Sequence, residues 1–166
     1  LEVAETFFWT FCDDYLELVK ERAYGEPSAE QASAVAALKT ALSVLVRLFA
    51  PVIPFAAEEV WSWSNDGSVH TAAWPTVDDL AARGEAGVEL LELAGVALTG
   101  IRRAKTDAKA SQKTPVARAV IAGPADAVRL LDSISNDLRA VGRISELEFA
   151  EGDELTVREV EFEQAD

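Results

Sequence analysis

Five apolar residues, Val35, Leu38, Leu42, Leu45 and Phe49, fall at alternating steps of three and four. That spacing draws one stripe down an α-helix, so residues 29–50 must bury a long face against neighbouring helices. Ser28 is placed to cap this helix, with Gln31 completing a capping-box spacing, and Pro51 breaks the path beyond it. Residues 1–24 carry apolar side chains on every turn, including Phe7, Phe8, Trp9, Phe11, Leu16 and Val19, which predicts a helix covered on more than one side. Gly25 and Pro27 close it. Pro54 suits the first turn of a short third helix over 55–63, with Glu58 and Glu59 near its positive end. Residues 68–77 read as irregular around the rigid Trp74-Pro75 pair.

A long helix is expected over 84–110, with Leu90, Ala94, Ala97, Ile101, Ala104 and Ala108 as its core stripe and Leu91 and Leu98 on the flank. One turn further that flank carries Arg102, Lys105 and Lys109, so the helix is expected to leave the core and present a basic edge. Gly84, Gly87, Gly95 and Gly100 are scattered along it, where small residues permit close packing; they form no phosphate-binding loop. After Pro115 the period changes. Residues 116–122 read as a strand, Gly123-Pro124 as a turn, and Val128, Leu131, Ile134, Leu138 and Val141 as the stripe of one helix capped by Gly142. A hairpin of 144–150 and 155–162 follows, and its apolar alternation slips by one, predicting a bulge near Arg158 and Glu159. The expected fold is mainly α: a helical bundle, residues 1–113, followed by a small β-α-β-β subdomain, residues 114–166.

Composition narrows the function. With 49% apolar residues among 166, the chain can fill a core. No unbroken apolar run approaches the roughly 20 residues of a membrane span, and no charged leader with a cleavage site opens the chain. Cys12, the one cysteine, excludes an internal disulfide and a multi-cysteine zinc site, and is expected to be a small buried residue in a reducing, cytoplasmic setting. No methionine occurs and Leu1 leads straight into a helical pattern, which reads as an excised domain. His70 is the single histidine, so neither a His relay nor a His-rich metal site can form. Asp13-Asp14 and Glu58-Glu59 are helix neighbours pointing about 100° apart, which reads as solvated or helix-start charge. The residues therefore offer no catalytic group, no metal site and no cofactor site.

The net charge of −14 argues against a polyanionic partner on average. The average conceals residues 100–118, where Arg102, Arg103, Lys105, Lys109, Lys113 and Arg118 face one acid, Asp107. The tail, residues 146–166, holds nine acids against Arg158, a solvated strand face that repels phosphate. Gln112, Lys113 and Thr114 on a loop beside helix-borne bases make the mixture expected where a protein grips phosphate and sugar. Two readings stand at this point: an RNA-binding edge, and a helical protein-interaction module whose bases are surface decoration.

Four blocks carry a resemblance. Phe7-Phe8-Trp9-Thr10-Phe11-Cys12-Asp13-Asp14-Tyr15-Leu16-Glu17-Leu18-Val19-Lys20-Glu21-Arg22 is similar to a helix of valyl-tRNA synthetases. Leu48-Phe49-Ala50-Pro51-Val52-Ile53-Pro54-Phe55, continued to Glu58-Glu59-Val60-Trp61, resembles a stretch shared by the class I synthetases for valine, isoleucine and leucine. Ser68-Val69-His70 through Trp74-Pro75 resembles the segment that follows it, and Ile101-Arg102-Arg103-Ala104-Lys105 to Lys113-Thr114-Pro115 resembles the family's basic helix and loop. The blocks occur in order, and the Phe-Cys-Asp block favours valine over isoleucine or leucine. The resemblance implies the C-terminal anticodon-binding domain of that family, an α-helical bundle with a small mixed appendage. It also implies a tRNA(Val) partner, no DNA or membrane partner, and a catalytic domain elsewhere in the polypeptide that uses ATP and magnesium. The family's catalytic signatures are absent from these residues, and the charged end without heptads resembles the form lacking a C-terminal coiled coil. The charge map nominates Arg102, Lys105 and Lys109 as phosphate contacts, with Arg103 and Lys113 assisting.

Overall fold

A computed structural model describes residues 1–81 and 87–163. The chain forms two compact units, one of Leu1–Asp13 with the described part of Arg22–Ala86, the other of Asp14–Glu21 with the described part of Gly87–Asp166. This grouping differs from a division at residue 113, because the long basic helix packs with the strands that follow it.

The first unit is helical. Helix α1 (Glu2–Thr10) runs into a π-helical turn (Phe11–Leu16) and then α2 (Glu17–Tyr24), of which Asp14–Glu21 belongs to the second unit, where the sequence predicts one unbroken α-helix. A π turn inserts one residue and rotates the turn that follows. Phe8 meets Phe49 edge to face, centroids 5.6 Å apart, while Phe7 and Trp9 remain exposed. Ser28 caps α3 (Ala29–Phe49), its hydroxyl accepting from the Gln31 N–H at 3.0 Å. The Gln31 amide donates to the Ala23 carbonyl at 3.3 Å, so the box closes on the preceding helix end. By length and a mean hydropathy of 1.6, α3 passes as long and apolar enough to cross a membrane, a property that unbroken-run counting misses because alanines fill the gaps. Here Ala34 and Leu45 are buried, and Arg47 is tied to the Ala73 carbonyl and Asp79.

Helix α4 (Pro54–Ser62) begins at Pro54 as predicted. Glu58 is no idle helix-start charge: it accepts from the Ser68 hydroxyl at 2.9 Å and the Val69 N–H at 3.0 Å, fixing a 3₁₀ turn (Val69–Thr71). Ala50, Ala57 and Val69 form the small core there, with Val46 and Trp61 against it. A short α5 (Asp78–Ala81), which the periodicity did not show, is capped by Asp79 accepting from the Thr76 N–H at 2.7 Å.

The second unit is α/β. Helix α6 (Val88–Asp107) is the predicted long helix; its expected first turn and Gly84 lie outside the described residues. Strand β1 (Val116–Gly123) is followed by α7 (Ala125–Asp132), α8 (Ser135–Gly142), β2 (Ile144–Glu151) and β3 (Thr156–Phe162). The single helix expected after Pro124 is two. The Ser133 hydroxyl bonds back to the Leu130 carbonyl at 2.6 Å and the Ile134 N–H takes a 3₁₀-type bond to Leu131, so the ladder is interrupted. Gly142 does not cap α8. Arg143 does, at φ +53°, because Gly142 is buried where a Cβ would lie 2.7 Å from the Ile144 Cδ1.

The last two strands do not form a hairpin. The sheet order is β2-β1-β3, with β1 parallel to β2 and antiparallel to β3. The reason is readable in β1, whose near-continuous apolar run (Ala119, Val120, Ile121, Ala122) is buried on both faces and belongs at the centre, while the alternating β2 and β3 suit edges. The predicted bulge is present: Glu159 sits at φ +53°, and β3 takes an extra residue between the partners of Arg118 and Val120. Leu18, Ala94, Ala97, Leu98, Ile121, Leu131 and Leu138 make the main core, and Ile101, Val116, Ala119 and Ile144 a second.

Candidate nucleic-acid interface

The C-terminal half of α6 and the loop after it hold the nominated residues, and the structure divides them. Arg103 is fully on the surface, its side chain 81% accessible, with Asp107 at 3.7 Å one turn on. An exposed pair of that kind contributes little and releases its guanidinium readily. Lys109 and Lys113 are exposed on the loop. Lys109 sits at φ +55°, left-handed backbone that costs a lysine about 1 kcal/mol; its N–H donates to the Thr106 carbonyl at 2.9 Å.

Arg102 is half-exposed and its Nη1 donates to Asp14 Oδ1 at 3.1 Å. Asp14 was expected as a solvated charge; it belongs to the π-helical turn and is partly buried against α6, where Gly95 leaves room for its carboxylate. A Cβ at 95 would lie 3.2 Å from Asp14 Oδ2. The sequence carried no signal for this pairing, since the residues are 88 apart.

Lys105 corrects the charge map: its accessibility is 1%. The ammonium donates to the Gly142 carbonyl at 2.8 Å and the Gln112 carbonyl at 3.0 Å. Burial first, and the Arg143 charge second, push its pKa below the usual lysine value. Leu98, read as flank, is buried, and position 105 lies one heptad on, only about 20° from it around the helix. Leu98 draws Lys105 inward, so the stripe runs Ala94, Leu98, Ile101, Lys105, while Ala108 is exposed. Lys105 meets no phosphate in this arrangement.

Sequence reasoning missed Arg143. Its left-handed backbone turns it beside the loop, where its guanidinium donates to the Lys113 carbonyl at 3.4 Å. Arg118, which swelled the formal charge of the segment, is occupied elsewhere: Glu148 accepts from it at 2.8 and 2.9 Å and Glu159 at 3.3 Å. These acids push the Arg118 pKa further up, and Arg118 holds Glu148 below the usual carboxylate range.

Elsewhere the side chains with chemical potential are restrained. Cys12 is partly buried, and burial followed by the Asp13 charge raises its thiol pKa, the opposite of an activated nucleophile. His70 lies 3.9 Å from Glu58 on the surface. Among the described residues no three His, Cys, Asp or Glu side chains gather as metal ligands.

Arg103, Lys109, Lys113 and Arg143 are thus exposed cations, and Arg102 a half-exposed one, on a helical and α/β chain whose net charge is −14. The chain belongs to the family of anticodon-binding domains of tRNA ligases, which it matches over residues 1–121. It is 61% identical over 165 residues to the valine–tRNA ligase of Leifsonia xyli subsp. xyli (strain CTCB07), covering 99% of this chain and 19% of that protein. It is 50% identical to the valine–tRNA ligase of Salinispora tropica, over 92% of this chain and 20% of that protein. With the valine–tRNA ligase of Cutibacterium acnes the identity is 47%, over 98% of this chain and 19% of that protein. The chain thus spans about a fifth of the length of these relatives.

Proposed function

We propose that this chain is the part of a cytoplasmic valine–tRNA ligase that binds the anticodon stem-loop of tRNA(Val). Its role is to hold the RNA while a catalytic domain elsewhere in the same polypeptide joins valine to the acceptor end with ATP and magnesium. Arg102, Arg103, Lys109 and Lys113 are the phosphate contacts. The observation that carries this reading is the set of exposed cations on one helix end and its loop, with Lys109 kept in backbone that favours glycine.

Binding of transcribed tRNA(Val) to the full-length ligase tests it. Changing Arg102, Arg103, Lys109 and Lys113 to Glu should abolish measurable affinity at moderate salt. Single Ala changes at Arg103, Lys109 and Lys113 should each flatten the slope of log K against log salt by about 0.7–0.9. Affinity indifferent to salt and to these changes points to a protein partner instead. Equal affinity for tRNA(Ile), tRNA(Leu) and tRNA(Val) removes the valine assignment.

A further inference from the structure

The loop of residues 108–115 presents two cations, and its shape is set from several sides. Its own turns use the Lys109 N–H to Thr106, the Ala110 N–H to the Lys105 carbonyl and the Thr114 N–H to Ser111, each at 2.9 Å. The Gln112 amide reaches back to the Arg102 carbonyl at 3.2 Å and the Thr106 hydroxyl at 3.3 Å. All of these tie the loop to the end of α6 or to itself. The Lys105 ammonium does something else: from a fully buried position it joins the Gln112 carbonyl of the loop to the Gly142 carbonyl at the end of α8. A helix C-terminus carries partial negative charge and unpaired carbonyls, so a cation fits there. Arg143, the next residue, grips the Lys113 carbonyl from the same side. The loop is therefore clamped between two helix ends, and Lys105 is the clamp.

We propose that Lys105 is a positioning residue for RNA binding: its buried ammonium fixes the 108–115 loop, and through it Lys109 and Lys113, without itself touching RNA. This rests on the phosphate-contact reading of Lys109 and Lys113 given above. A neutral side chain at 105 leaves two carbonyls without their charged donor and lets the loop sample conformations in which its lysines no longer meet the phosphates together.

The test is a double-mutant cycle on tRNA(Val) affinity in the full-length ligase, with Lys105→Met, Lys109→Ala/Lys113→Ala, and the triple variant. Circular dichroism and thermal unfolding check that each is folded; if Lys105→Met is not, Lys105→Gln takes its place. Lys105→Met should weaken binding about fivefold or more in the wild-type background and have almost no further effect once the loop lysines are gone, the non-additivity of residues acting through one another. Lys105→Arg, which keeps charge and donors but adds volume at a fully buried position, should recover only part of the affinity that Lys105→Met loses. A merely structural role would lower the melting temperature and leave affinity intact, which overturns the proposal. Losses that add in the triple variant show a direct phosphate contact and overturn it as well. Should Lys109→Ala/Lys113→Ala leave binding unchanged, the phosphate-contact reading itself fails, and the positioning role falls with it.

Discussion

Gly100 lies in the middle of α6, where alanine would be the better helix former. Alanine there should gain about 0.8–1 kcal/mol of helix propensity. The structure opposes the gain: a Cβ at 100 would lie 2.6 Å from Val157 Cγ2 and 3.1 Å from Val157 Cβ. Rotating Val157 clears the methyl, but its Cβ is fixed to strand β3, so helix and strand must also separate. Overpacking of this kind costs about 1–3 kcal/mol. The two effects leave Gly100→Ala destabilising by about 1 kcal/mol. Urea unfolding followed by circular dichroism should show a lower midpoint at unchanged m-value. Gly100→Ala/Val157→Ala should recover part of the deficit, since the closest methyl is gone. A Gly100→Ala protein more stable than wild type would refute the close approach of α6 to β3.

Three further outcomes follow from the geometry. Lys109→Gly should raise stability by about 0.5–1 kcal/mol, since the left-handed backbone no longer opposes the side chain, while weakening tRNA affinity; urea midpoints and a binding titration on the same protein read both. Ser28→Ala should cost about 1 kcal/mol, the usual loss of an N-cap hydroxyl, seen as a lower urea midpoint. Glu148 has its folded pKa lowered by the Arg118 hydrogen bonds. Its contribution is therefore present above the unfolded glutamate pKa and lost as pH falls through the lower folded value. Glu148→Gln should lower stability slightly at neutral pH, where the contribution of this exposed pair is complete, and flatten the acid limb of a stability–pH profile below about pH 4.5, where wild type loses it.

Where one element's own periodicity decided the outcome, the fold was legible in the chain. The α3 helix itself, the Ser28 cap, Pro54 at a helix start and the slip of phase at Glu159 all act over a few residues and are found in place, whereas of the α3 seam only Leu45 is buried and Leu42 is exposed. What escaped depends on partners distant in sequence. A hairpin is the shortest connection for two consecutive strands, yet the twice-buried β1 takes the centre and separates them. The break at Ser133 turns on a hydroxyl choosing a carbonyl, and the Asp14–Arg102 pair joins residues far apart in the chain. The exposure of Arg103, Lys109 and Lys113 was readable because surface cations need no partner to be placed. Lys105 was not: treating its charge as a reason for exposure overlooked that its four-carbon stem lies on the Leu98 stripe and that two helix-end carbonyls can receive its head.

The same distinction alters what the net charge means. Counted by sequence, residues 100–118 are strongly positive, but Arg118 is neutralised by Glu148 and Glu159, Lys105 is withdrawn inside, and Arg102 shares its charge with Asp14. What faces solvent is a smaller set, Arg103, Lys109 and Lys113, extended by Arg143 from another helix end. At physiological salt, charges separated by more than about 8 Å are largely screened, so the acids of β2 and β3 act mainly on whatever lies directly over them. A polyanion approaching those strands meets Glu146, Glu161 and Glu163 on exposed backbone, whereas one approaching the α6 loop meets cations at close range. On the RNA-binding reading proposed above, this arrangement favours approach of the RNA to the α6 loop over approach to the strands. Orientation, more than strength, is what a domain that holds RNA for chemistry elsewhere has to supply.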